Sequence, residues 1–282
     1  MPNVNEEQPR PAPGGVGTVA PPSPYITLDE VRRVYPTADG GGFTALDGIS
    51  LTVAGGEFCS VVGPSGCGKS SLLGLISGLA RQDSGRVEVL GSEVRSVRRD
   101  VGFIFQKDAL LPWRTAVQNV ALPLRFRGAT KADATEQAQE WLRRVGLGGF
   151  ADRYPHQLSG GMRKRVSVAA TLAYRPPIIL MDEPFSALDV QTRTLMEDDL
   201  LRLWDAERPT VLFITHDLEE AIGLSDRVVV MSRSPGRVIG DHVIDLPRPR
   251  NLMELRFDDR FVALHHALWE QLRTQVGPAD EH

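Results

Sequence analysis

One segment restricts the fold more than any other: Gly63-Pro64-Ser65-Gly66-Cys67-Gly68-Lys69-Ser70, between the apolar run Phe58–Val62 and the helix-like Ser71-Leu72-Leu73-Gly74-Leu75-Ile76. It fits G-x-x-x-x-G-K-[ST] in the strand–loop–helix setting that this motif requires. Glycines let successive backbone N–H groups curl into a concave anion nest, and the N-terminus of the following helix adds its partial positive charge. In such a loop Lys69 reaches the β- and γ-phosphates of a nucleotide and the Ser70 hydroxyl ligates Mg²⁺. Lysine is scarce here, 4 residues among 32 basic ones, so its presence at this position is a poor candidate for coincidence. Cys67 reads as a small residue filling the loop, the alternative being a thiol acidified at a helix N-terminus.

A phosphate loop needs a sheet behind it, and the rest of the chain supplies one. Further strands are expected at Ile49–Val53, Gly85–Leu90, Val101–Phe105, Ile178–Met181, Val211–Ile214 and Val228–Met231. Phe58–Val62 and Ile178–Met181 are apolar or small throughout rather than alternating, as central strands covered on both faces must be. This points to a mostly parallel α/β sheet. Between about 107 and 173 strand signals vanish; Thr130 reads as an N-cap, and Ala134, Ala138, Leu142 and Val145 follow at helical spacing. The stretch reads as a helical insertion, ending in a helix over Met162–Leu172. A last helix near 258–275 puts Phe261, Leu264, Leu268 and Leu272 on one stripe that packs on the core.

Residues 1–24 hold seven prolines and three glycines with few large apolar side chains, and are expected to be a disordered tail. No apolar run approaches the ~20 residues of a spanning helix. The start lacks a secretory signal, and two cysteines make no disulfide framework, so the cytosol is the expected compartment. A net charge of −4 argues against nucleic acid as the main partner.

The second half of an ATPase site is readable at Ile178-Ile179-Leu180-Met181-Asp182-Glu183, an apolar strand ending in two acids. Asp182 at such a tip reaches a Mg²⁺ directly or through water, and Glu183 orients or deprotonates the attacking water. Leu158-Ser159-Gly160-Gly161-Met162 lies between the two halves, opening a helix with a hydroxyl and glycine N–H groups, a second anion site.

With this string the chain resembles the nucleotide-binding subunits of ABC transporters over about residues 25–250. The resemblance implies a P-loop NTPase (ABC ATPase) core, residues 25–106 and 174–250, with a mostly parallel sheet and an antiparallel β portion. Residues 107–173 would form an inserted α-helical subdomain and 251–282 a C-terminal helical extension. It implies that Ser159, Gly160 and Gly161 face the γ-phosphate held by the opposite subunit, so that a homodimer sandwiches two Mg·ATP. Gln106 matches the loop glutamine that contacts Mg²⁺ and water. Ser186-Ala187-Leu188-Asp189 matches the loop crossing the dimer interface, His216 the histidine touching the γ-phosphate, and Tyr35 the aromatic stacked on adenine, with Phe43 the nearby alternative. ATP binding is further assigned to Gly63, Pro64, Ser65, Gly66, Cys67, Gly68, Lys69, Ser70, Ser71 and Asp189. Ser71 stands where relatives often carry Thr and Lys164 where many carry Gln; neither removes a ligand.

The resemblance further implies separate integral membrane permease subunits, a periplasmic or extracellular solute-binding protein, and a cytoplasmic location on the inner face of the membrane. Leu110–Val120 borders the groove that receives a permease helix; Leu110, Leu111 and Trp113 either line it or pack in the core. Together with Ser234–Val238 and Asp245–Arg250, this segment resembles the nitrate/sulfonate/taurine group of importers. The rival readings are a soluble ABC-type switch without a permease, an ABC importer subunit for another small solute, a P-loop kinase or other transferase, which would not need residues 158–162, and a non-hydrolysing binding module, against which Glu183 and His216 stand.

Overall fold

The computed structural model describes residues 24–275; the expected tail at 1–24 lies outside them except for Pro24, as do the last residues of the C-terminal extension. Its opening hairpin pairs β1 (Pro24–Pro36) with β2 (Gly42–Ala54), both longer than the sequence signals. After β3 (Phe58–Val62) the phosphate loop leads into α1 (Lys69–Ser77). Then follow β4 (Ser84–Val89), β5 (Ser92–Glu93) and β6 (Val101–Ile104). Residues 107–173 contain no strand: α2 (Ala116–Phe126) is followed by α3 (Lys131–Arg144) and α4 (Gly160–Leu172), the last two joined through short 3-10 turns. Thr130 caps α3 by accepting from Asp133 N. The chain re-enters the sheet as β7 (Ile178–Asp182), then α5 (Val190–Glu207), β8 (Thr210–Thr215), α6 (Leu218–Leu224), β9 (Arg227–Met231) and β10 (Val238–Val243). It finishes with α7 (Leu252–Leu255) and α8 (Asp259–Arg273).

Two sheets result. The larger runs β10-β9-β3-β8-β7-β6, parallel except for the antiparallel edge strand β10; the smaller runs β2-β1-β4-β5 and is antiparallel. The apolar runs occupy the interior of the larger sheet: β3 lies between β9 and β8, and β7 between β8 and β6. Their alternate residues enter different cores. Phe58 and Val62 pack with Ile179, Met181 and the helices α2 to α6, whereas Cys59 and Val61 pack with Ile178, Leu180, α1 and the smaller sheet. Each of these strands is therefore sealed on both faces, which removes the period-2 polarity of a one-sided strand. On α8 the expected stripe is present: Phe261 and Leu268 are buried, and Leu264 and Leu272 half-buried against the same core.

Because β3, β7 and β8 are parallel, their C-terminal ends lie side by side on one edge of the sheet. Loops leaving that edge carry residues 63–68, 183–189 and 216–217, so topology alone gathers segments more than a hundred residues apart.

Candidate functional site

The loop after β3 is shaped by its glycines. Gly66 and Gly68 sit at φ +75° and +97°, left-handed conformations that cost an L-side chain about 1–2 kcal/mol. The backbone therefore turns sharply into α1, whose N-cap is Gly68 itself. Seven of the eight described α-helices have an N-cap side chain that accepts from a helix N–H; α1 has none, and no acid in its first turn. Its first N–H groups are left open to an external acceptor.

Lys69 is buried with its stem, and its ammonium donates to the carbonyls of Gly63 (2.7 Å) and Pro64 (2.9 Å). Cys67 is fully buried, and burial pushes its thiol pKa up against the opposing pull of Lys69. Burial within the loop is what the loop-filling reading of Cys67 expects.

Ser70 Oγ donates to Asp182 Oδ1 at 3.2 Å, joining the start of α1 to the tip of β7. Burial raises the Asp182 carboxyl above its ordinary range, with the Ser70 bond opposing it and Glu183 adding to it. No ion pair neutralises Asp182 among the described residues. A partly desolvated carboxylate beside a hydroxyl is a hard-oxygen pair that suits Mg²⁺.

Glu183 turns the chain at φ +41°, and its N–H is held by the Ile214 carbonyl at 2.9 Å. Its Oε2 lies 3.0 Å from Nδ1 of the exposed His216. Gln106, at the exit of β6, donates to Ser186 Oγ at 3.3 Å, and Ser186 Oγ donates to the Glu183 carbonyl at 3.0 Å. Tyr35 donates to Ser71 Oγ at 3.1 Å, while the Arg33 guanidinium covers its ring at 4.5 Å. Phe43 faces Tyr35 across the hairpin and is 46% exposed.

The residues of the second anion site stand apart. Ser159 caps α4, accepting from Met162 N at 3.3 Å, and Gly160 and Gly161 form its first turn. Among the described residues the Ser159 hydroxyl has no bond to the phosphate loop; it is exposed. A Cβ on Gly161 would come within 2.6 Å of Thr192, in the first turn of α5. Asp189 caps α5 through the Thr192 N–H (3.0 Å), a bond that holds its carboxyl below the usual range.

The ABC transporter family profile matches residues 46–186, half of the chain. An uncharacterized ABC transporter ATP-binding protein of Methanocaldococcus jannaschii is 48% identical over 82% of this chain and 86% of that protein. A bicarbonate transport ATP-binding protein of Synechocystis is 42% identical over 86% of both. The chain belongs to the ABC transporter family. A nitrate import ATP-binding protein of Synechococcus elongatus is 40% identical over 90% of this ABC ATPase and 39% of its own length. Among solved structures, a dimeric post-hydrolysis ATP-binding cassette bound to ADP and Pi superposes with a TM-score of 0.70 and 34% identity, covering 79% of this chain and all of that one.

Two parts of this ABC ATPase extend the sequence reading. Ser186, read in the sequence only as part of the loop matched to the dimer interface, joins Gln106 to Glu183. The segment after Gln106 divides Leu110 and Trp113: Leu110 packs on the core, whereas Trp113 is 69% exposed. Buried Asn119 shapes that segment, donating to the carbonyls of Leu111, Arg114 and Thr115 and accepting from Leu111 N at 2.7 Å. No described helix is long and apolar enough to cross a membrane.

Proposed function

We propose that the chain is the ATP-hydrolysing subunit of an importer for a small anion of the nitrate, bicarbonate or sulfonate kind, working as a pair of cassettes on a separate membrane permease. The observation that carries the hydrolytic part is the meeting, at one sheet edge, of the uncapped α1, Lys69, the Ser70–Asp182 pair and the Glu183–His216 pair. Lys69 would exchange its loop carbonyls for β- and γ-phosphate oxygens. Ser70, Asp182 and Gln106 would hold Mg²⁺, which supplies neutralisation of charge on the phosphates. Glu183 receives a proton from the attacking water, and His216, bonded to the same carboxylate, orients it toward the γ-phosphate. Tyr35 is positioned to offer adenine the ring face that Arg33 does not cover.

Ser159 caps α4, with Gly160 and Gly161 in its first turn, and the Ser159 hydroxyl has no bond to the phosphate loop among the described residues. A second copy placing them over the γ-phosphate completes two sites at once, and the dimeric state of the matching cassette supports this arrangement. The anion reading rests on the relatives named for bicarbonate transport and nitrate import, and the partner reading on Trp113, a large aromatic held in water by a loop built to present it. A solute-binding protein outside the membrane and a cytoplasmic seat on its inner face belong to the same reading.

Glu183→Gln tests the assignment. The variant is expected to bind ATP and form a stable nucleotide-bound dimer, with phosphate release slowed by about 10²–10⁴ as for loss of a general base. Near-normal phosphate release contradicts the role. For the solute, uptake of nitrate, bicarbonate and a sulfonate is compared between cells carrying the native chain and Lys69→Ala; the transported anion is the one whose uptake disappears.

A further inference from the structure

We propose that Lys164 is a positioning residue for the reaction: it grips the main chain at Gln106 and locks that glutamine to the helix that begins at Ser159. The inference rests on the reading of Gln106 as a contact for metal and attacking water. Of the four lysines two are buried, Lys69 in the phosphate loop and Lys164 in α4, the latter 3% exposed.

A buried ammonium is stable only where its protons are all taken up. Lys164 Nζ donates to the carbonyls of Phe105 (2.9 Å) and Gln106 (3.0 Å) and faces Asp108 Oδ1 at 3.4 Å as an ion pair. The two acceptors and the paired carboxylate belong to one four-residue stretch, 58 or so positions away in sequence. Arg163 fastens the same stretch from the adjacent position, its Nε donating to Asp108 Oδ2 at 3.1 Å while its other arm donates to the Leu158 carbonyl at 2.8 Å. Thus Leu158, beside the Ser159 cap, and Gln106, bonded onward to Ser186 and Glu183, are tied by two adjacent cations through a few bonds. Because Lys164 holds carbonyls rather than the Gln106 side chain, the amide is left to bond Ser186 in the site. Its removal would leave two carbonyls without a donor and the glutamine without an anchor.

Three full-length chains test this: Lys164→Met, Gln106→Ala and the double variant. With a non-hydrolysable ATP analogue as probe, Lys164→Met should bind within about twofold of wild type in EDTA but lose about fivefold or more of the affinity that Mg²⁺ adds. Its ATP turnover should fall about tenfold in kcat with KM nearly unchanged. The double variant should lose no more than Gln106→Ala alone, since both changes act through one group. Lys164→Gln, whose amide still donates to the carbonyls, should restore most of the loss. If Lys164→Met does not fold, Lys164→Ala takes its place with the same expectations. A full Mg²⁺-dependent gain in Lys164→Met beside an impaired Gln106→Ala, or losses that add in the double variant, overturns the positioning role and leaves the site reading standing. An unimpaired Gln106→Ala removes the site reading and the positioning role together.

Discussion

Gly66 and Gly68 occupy one loop and tolerate substitution differently. A Cβ at Gly68 would lie 2.6 Å from Leu46 Cδ2 and 2.7 Å from the Ala45 carbonyl, and the carbonyl belongs to a paired strand that cannot yield. Gly68→Ala should therefore cost upwards of about 2 kcal/mol, strain and clash together. At Gly66 nothing lies within 4 Å, so Gly66→Ala should cost about 1 kcal/mol from its positive φ alone. Urea unfolding of the two variants measures the difference; equal losses refute the packing argument. A second residue-scale effect concerns Glu197, 4% exposed, which burial chiefly, then Asp217, pushes up to about 7 against Arg256 and Arg193. The folded chain then holds a proton between about 4.5 and 7 that the unfolded chain releases, so stability falls as pH rises through that window. Glu197→Gln should stabilise at pH 8 by on the order of 1–3 kcal/mol and change little near pH 4.5, as thermal unfolding at both pH values will report. The phosphate-loop residues were legible in sequence because their chemistry is local: eight consecutive positions make the nest. The bonds of Ser186 and Lys164 to Gln106 were not, because each partner is 80 or 58 positions away and is brought near only by the fold.

The same distinction holds for whole elements. The central strands β3 and β7 announce themselves by unbroken apolar runs, since two cores flank them. By contrast β10 lies at the sheet edge with no fully buried residue, and it leaves no such trace. Nor does α5, the longest of the described helices: its buried Met196, Glu197, Leu200, Leu201 and Trp204 include an acid, which hides the stripe. The C-terminal helices depend on one side chain ahead of them. Arg250 donates to the carbonyls of Ile222, Gly223 and Ser225 at the end of α6 and of Ile244 and Leu246 beyond β10, at 2.7–3.4 Å. Arg250→Ala leaves five acceptors without that donor, and a loss of about 3 kcal/mol is expected, with faster proteolysis beyond residue 246. Proteolysis and unfolding that match wild type would show the staple to be dispensable.

For the whole molecule, a site divided between two copies has a kinetic signature. At saturating ATP, turnover per chain should rise with chain concentration until dimers dominate; a flat profile means that one chain suffices. Trp113→Ala should leave that curve unchanged while weakening co-purification with the proposed permease, because the residue is 69% exposed in a segment held by Asn119. There remains the helix that starts without a cap of its own. An anion settling there would do work that a serine or aspartate does elsewhere in the molecule, and a nucleotide bound as proposed would rank among the protein's structural parts. By mass action, a hundredfold excess over Kd would add roughly 2.7 kcal/mol to the folded state. Cells with depleted adenylate pools would hold this subunit in a more heat-sensitive form, and its lifetime would register their energy charge.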